Sequence, residues 1–157
     1  MTVKVMFVCL GNICRSPTAH GVFAAMVQDA GLSDQILVDS CGTSGWHIGN
    51  PPDERSVAMA AERGFDLSVL RASQIQVQDF ETFDFVLAMD AQNLSDLQTV
   101  APADYSGQLD LLLNFDPYSD VSEVPDPYYG GEEGFVLAVE LIEAACLQLL
   151  KHIKATL

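Results

Sequence analysis

Ten consecutive residues, Val8-Cys9-Leu10-Gly11-Asn12-Ile13-Cys14-Arg15-Ser16-Pro17, carry most of the groups in this chain that could do chemistry. A cysteine is followed by a glycine and an asparagine, then by an arginine and a serine. An apolar run, Val5-Met6-Phe7-Val8, precedes them, and a helical pattern starts at Pro17. A strand, a tight turn and a helix N-terminus should therefore share one small region. Such a region collects backbone N–H groups and the positive end of a helix dipole around one point, which suits an anion. Arg15 offers a planar fork of donors matched to phosphate oxygens, which a lysine does not reproduce. Loop amides, helix terminus and arginine together would favour the thiolate of Cys9 over its thiol. Gly11 lets the turn adopt a positive φ and Asn12 tolerates one, while Ser16 can cap the helix or turn its hydroxyl to a loop sulfur or a departing group. The arrangement reads as a cradle, Leu10 through Ser16, that holds a phosphate with its phosphorus in front of the Cys9 sulfur. A dinucleotide turn would need three spaced glycines and a Walker loop Gly-Lys-Ser/Thr, and neither is present.

The elements that must position these groups follow from pattern. Val3–Val8 is apolar enough to be a strand buried on both faces. A helix from Ser16 and Pro17 carries Val22, Phe23, Met26, Val27 and Ala30 at helical spacing and ends at Gly31. Ile36–Cys41 completes a β-α-β opening with the cysteine at a strand's carboxyl end, where open α/β sheets bind ligands. A helix over Asp53–Arg63, a third strand over Phe83–Met89, a helix over Asp90–Val100 with Asp90 as its cap and a fourth strand over Gln108–Leu113 follow. The last helix runs from Glu132 to Lys154, with Phe135, Val139, Ile142, Cys146, Leu149 and Ile153 as one core stripe. Cys146 on that stripe is expected to be inert. Two segments are too rich in Gly, Pro and polar residues to be plain connections: Gly42–Pro52, with the only tryptophan, Trp46, and Phe115–Gly131. The fold class expected is α/β, a small four-stranded parallel sheet between helices, as one domain over 1–157.

Composition narrows the partners. Seven basic against 22 acidic residues give a formal net charge of −15, with no basic cluster. Nucleic acid and anionic membrane are poor partners for such a surface. The field of the whole chain also repels a phosphate monoester, so attraction must be local. No run reaches the ~18 apolar residues of a membrane span, and the apolar start is too short for a signal peptide. Four cysteines, Cys9, Cys14, Cys41 and Cys146, make no disulfide framework and no zinc spacing. A cytoplasmic monomer without metal or cofactor is the expectation.

The stretch Cys9–Pro17 resembles the phosphate loop of the low-molecular-weight protein tyrosine phosphatases. The similarity continues in family order through Thr43-Ser44-Gly45-Trp46, Ile48-Gly49-Asn50-Pro51-Pro52-Asp53, Phe83-Asp84-Phe85-Val86, Met89-Asp90 and Pro125-Asp126-Pro127-Tyr128-Tyr129. It implies a Rossmann-like or flavodoxin-like three-layer fold and hydrolysis of protein phosphotyrosine through a phosphocysteine on Cys9. It further implies that Asp126 is the general acid and base, that Trp46, Tyr128 and Tyr129 wall the substrate cleft, and that Ser40 braces Asn12. By the same resemblance Cys14 forms a reversible, redox-sensitive disulfide with Cys9. Read without the resemblance, an aspartate between two prolines is simply a stiffened turn residue. One segment departs from the family pattern: where many relatives carry His and Arg, this chain has Leu70 and Ser73 within Ser68-Val69-Leu70-Arg71-Ala72-Ser73-Gln74. The alternative activity is arsenate reduction, since arsenate mimics phosphate. No cysteine lies between Cys41 and Cys146, so such a reductase would need an external thiol. A non-catalytic phosphotyrosine-binding module would be expected to lack Cys9 or Asp126, and both are present.

Overall fold

Strand β1, Val3–Cys9, serves two cores at once. Val5, Phe7 and Cys9 pack among Val22, Phe23 and, from the last helix, Ile142, Cys146, Leu149 and Ile153, while Met6 and Val8 pack with Phe80, Val86 and Leu97 on the opposite face. Alternation of side chains along a strand produces this division, and burial of both faces marks a central strand. The structure is a computed structural model and describes residues 2–157.

In chain order, β1 is followed by α1 (Arg15–Asp29), β2 (Ile36–Gly42), α2 (Glu54–Glu62), a short α3 (Asp79–Thr82), β3 (Phe85–Ala88), α4 (Ala91–Val100), β4 (Gln108–Leu111) and α5 (Glu132–Lys154). All four strands are parallel and lie in the order β2-β1-β3-β4. Helices α1 and α5 cover one face, and α3 and α4 the other. The three-layer α/β expectation is met. The chain leaves β1 toward β2 on one side and returns to β3 on the other. Cys9 therefore ends the strand at which the topology switches direction, where such sheets open a crevice.

The last helix runs over the residues that the stripe predicts, and every stripe residue is buried, Cys146 included. The third strand is shorter than expected, because Phe83 caps α3 and Asp84 bonds back to Lys4. The fourth is also shorter, since Leu112–Phe115 winds into a 3₁₀ turn. Ser16 is not the helix cap. Helix α1 begins at Arg15 with Cys14 preceding it and no side-chain cap, because the Ser16 hydroxyl is used beneath the loop. The positive φ of the turn falls on Asn12, at 57°, and not on Gly11. The glycine that close approach demands is Gly42 at the end of β2, where a Cβ would stand 2.7 Å from the Leu10 carbonyl oxygen.

Candidate active site

The loop between β1 and α1 turns its carbonyls outward. Cys9 O accepts from Thr43 N at 2.9 Å, Leu10 O from Ser44 N at 3.0 Å, and Ile13 O from Asp53 N at 2.7 Å. The Cys14 carbonyl accepts from the Thr18 hydroxyl at 2.7 Å. The amide of Asn12 points at the Cys9 sulfur, 3.3 Å away. The amides of Gly11, Ile13 and Cys14 have no backbone acceptor among the described residues. A ring of free donors around a sulfur is a nest for an anion.

Under the loop, Asn12 holds the centre. Its Oδ1 accepts from Ser73 N at 3.0 Å, which fixes the amide orientation, and its Nδ2 donates to Ser16 Oγ at 2.7 Å. Ser16 Oγ lies 3.0 Å from Cys9 Sγ and 3.3 Å from the Cys41 carbonyl, so its single proton has the sulfur or that carbonyl as acceptor. Ser40 does not brace Asn12. Its hydroxyl meets His20 Nδ1 at 3.0 Å, and its carbonyl accepts from Ser73 Oγ at 3.2 Å. The segment that departs from the family pattern thus still supports the loop through the backbone N–H of Ser73, while the Ser73 hydroxyl ties the segment to β2.

Arg15 is 2% exposed and reaches across the cleft. Its Nη1 donates to Asp90 Oδ2 at 2.6 Å and to the Val124 carbonyl at 2.9 Å, and its Nη2 stands 3.7 Å from Asp126 Oδ2. Burial opposes the charge on this guanidinium, but the Cys9 sulfur and the carboxylates of Asp90 and Asp126 outweigh it and strengthen its hold on the proton. Asp90 also caps α4, accepting from Asn93 N at 2.7 Å, as expected of it. Its grip on Arg15 was not legible in the sequence. The N-cap pattern accounts for the residue by itself, and only the fold brings Arg15 to the second carboxylate oxygen.

The cleft so formed has a volume of about 300 Å³. Its floor is Cys9, Leu10, Gly11, Ile13, Cys14 and Arg15, and its walls are Trp46 and His47 on one side and Asp126, Tyr128 and Tyr129 on the other. All the predicted site residues meet here except Asn12 and Ser16, which lie beneath the floor. Trp46 is 74% exposed and Tyr129 92%, while the Tyr128 ring stacks edge-on against Tyr129 at 5.0 Å. No motif in the sequence marks His47, which the structure ties to Asn50: its carbonyl accepts from Asn50 N at 2.8 Å and its Nδ1 lies 3.5 Å from Asn50 Nδ2. Cys14 is a free, buried thiol; burial, with the charge of Asp53 adding to it, pushes it up to about 12. A thiol among free amides, with a buried guanidinium and a carboxylate at the mouth, has the parts to bind a tetrahedral oxyanion, attack it and exchange a proton with its leaving group.

The sequence profile described as "Low molecular weight phosphotyrosine protein phosphatase" matches residues 4–157. The "Low molecular weight protein-tyrosine-phosphatase YfkJ" of Bacillus subtilis is 41% identical over 152 residues, 97% of this chain and 96% of that protein. The "Low molecular weight phosphotyrosine protein phosphatase" of Homo sapiens is 40% identical over 152 residues, 96% of this chain and 95% of that one. A crystal structure of the protein tyrosine phosphatase from Entamoeba histolytica, with Hepes in its active site, superposes with a TM-score of 0.94 at 35% identity and covers 99% of both chains.

Proposed function

This chain belongs to the low molecular weight phosphotyrosine protein phosphatase family, and on that premise we propose a two-step hydrolysis of protein phosphotyrosine at the Cys9 cleft. In the first step the Cys9 thiolate attacks phosphorus. An S–P bond forms, the P–O bond to the phenol breaks, and Asp126 gives its proton to the departing oxygen. In the second, Asp126 takes a proton from water as the water oxygen bonds phosphorus, and the S–P bond breaks to release inorganic phosphate. Arg15 and the amides of Leu10 through Ser16 hold the three equatorial oxygens, where charge is greatest in the transition state. Every atom exchanged comes from substrate, water, Cys9 or Asp126, so the scheme needs no metal or cofactor.

The observation that carries this reading is the placing of Cys9 Sγ, 3.0 Å from Ser16 Oγ and 3.3 Å from Asn12 N, in one cleft with Arg15 and Asp126. The aromatic walls favour a long phosphotyrosine side chain, whose ring packs against Trp46, Tyr128 and Tyr129 while its phosphorus reaches the floor. The four unpaired thiols support a cytoplasmic setting, and the high net charge supports a monomer. One sheet with both faces covered supports a single domain over 1–157. Cys14, within the same loop, is the thiol available to form a reversible disulfide with an oxidised Cys9. Arsenate reduction has weaker support, because no cysteine between Cys41 and Cys146 is present to relay the disulfide.

Stopped-flow release of phenol from an aryl phosphate tests the scheme. Wild type should show a burst, Cys9→Ser no release, and Asp126→Ala a loss of roughly 10²–10⁴-fold in turnover. Slow wild-type turnover that Asp126→Ala leaves unchanged would overturn it, and thiol-dependent arsenite production would then favour the reductase.

A further inference from the structure

The segment carrying Asp126 is pinned at both ends by an arginine. At one end the Val124 carbonyl accepts from Arg15 Nη1 at 2.9 Å, and at the other the Tyr128 carbonyl accepts from Arg55 Nη2 at 3.0 Å. Asp126 lies midway, between Pro125 and Pro127, whose rings restrict the backbone. Its Oδ1 accepts from Tyr128 N at 3.1 Å, which leaves Oδ2 directed toward Arg15. The position of the carboxylate therefore depends on where Tyr128 is held.

Arg55 is built to hold it. Its Nε and Nη2 form a fork on Asp53, at 3.0 and 2.9 Å from Oδ1 and Oδ2. Its Cζ lies 4.6 Å from the centre of the Phe135 ring and 5.4 Å from that of Tyr128. Asp53 is in turn fastened to the phosphate loop, its N–H donating to the Ile13 carbonyl at 2.7 Å. A continuous path thus runs from the cradle through Asp53 and Arg55 to the Tyr128 carbonyl. Stability does not account for it. The Arg55 side chain is 47% exposed, and ion pairs so open to water contribute little. After Tyr129 the chain enters Gly130-Gly131, which gives no stiffness of its own.

We propose that Arg55 is a positioning residue for proton transfer: it latches the Asp126 segment to the phosphate loop and sets the distance from carboxyl to leaving group. The proposal rests on the reading of Asp126 as the acid, so its test carries Asp126→Ala alongside. Two substrates are compared by kcat/KM, which reports the step in which the phenol departs. One is phenyl phosphate, whose phenol titrates like tyrosine's, near ~10, and needs a proton to leave. The other is a dinitrophenyl phosphate, whose anion leaves without one.

Arg55→Ala should lower kcat/KM for phenyl phosphate roughly tenfold, the cost of a misplaced catalytic group. For the dinitrophenyl ester it should change less than about twofold, since no proton has to be delivered. Arg55→Lys, which keeps the charge but cannot span Asp53 and the Tyr128 carbonyl together, should fall between. Inhibition by inorganic phosphate, which needs only the cradle, should match the wild type and show that the variant is folded. Equal losses on both esters, or none, would overturn the proposal. If Asp126→Ala itself fails to discriminate between the esters, the acid assignment fails; if it discriminates and Arg55→Ala does not, only the latch fails.

Discussion

The two halves of the cleft are built on opposite plans. The half proposed to bind phosphate is buried and over-determined: Asn12, Arg15 and Ser16 are each closed off from solvent, and the side-chain polar atoms of Asn12 and Ser16 all have named partners. The half that the proposal gives to the leaving group is open. Asp126 is 38% exposed, Tyr129 stands almost free, and the segment is held by few bonds. Chemistry gives the reason. A phosphoryl group has one shape in every substrate, and donors aimed at it in advance cost no reorganisation when charge develops. The groups flanking a phenol differ from substrate to substrate, and the segment that meets them must admit variety. Arg15 joins the two plans, donating to the Val124 carbonyl and standing 3.7 Å from the Asp126 carboxylate.

The strongest way to break the contrast is to loosen the buried side at Asp90. In Asp90→Asn the 2.6 Å ion pair with Arg15 becomes a hydrogen bond from the guanidinium to a neutral amide oxygen, and a buried charge loses its closest counter-charge. Stability should fall by about 1–3 kcal/mol, short of the loss when a buried pair is broken outright. The misdirected fork should cost roughly 10²-fold in kcat/KM. Chemical denaturation with steady-state kinetics on one preparation measures both. A variant that keeps wild-type kinetics would mean that Val124 and the phosphate itself orient Arg15 without help.

On the open side the same size of change should separate binding from stability. Trp46→Ala removes a ring that touches solvent more than protein, so thermal stability should move by no more than about 0.5 kcal/mol. Loss of one aromatic wall, worth about 0.5–1.5 kcal/mol, should raise KM for aryl phosphates roughly two- to tenfold and leave kcat unchanged. A fall in kcat with unchanged KM would place Trp46 in the transition state and not merely in the wall.

What could be read in advance divides along the same line. Cys9 to Ser16 was legible because turn, helix terminus and nucleophile lie in one local stretch, and the stripe of α5 because its spacing repeats over 23 residues. The braces were not. Asp90 reaches Arg15 across 75 positions, Ser73 reaches Asn12 across 61, and Arg55 reaches Tyr128 across 73. No periodicity links such pairs, and each residue had a sufficient local explanation. Ser16 had two local readings, helix cap and partner of a loop sulfur, and the structure takes the second. Its place before Pro17 fits a helix cap, yet the sulfur and Asn12 above it claim the hydroxyl. Ser40, expected against Asn12, turned instead to a histidine on α1 that no motif had singled out.

That histidine offers a test of the buried half with the smallest expected effect. His20 lies between α1 and β2 with Nδ1 on the Ser40 hydroxyl, and the charged group facing it is Asp39 of β2. Burial lowers its affinity for a proton, and the attraction of Asp39 only partly restores it. In the unfolded chain the ring takes up its proton near the ordinary 6.5. Below that pH the unfolded state therefore binds a proton that the folded state refuses, and stability must fall as pH drops, until the folded ring also titrates. Above it the two states match and His20 adds no slope. His20→Asn keeps a polar atom for Ser40 and removes the titration. Its Tm should track the wild type at about pH 7.5 and fall less than the wild type's on moving to about pH 5.5, the carboxylates being common to both. Parallel losses in the two proteins would show that the ring between α1 and β2 already opens to water in the folded state. The buried half would then be less closed than its hydrogen bonds indicate.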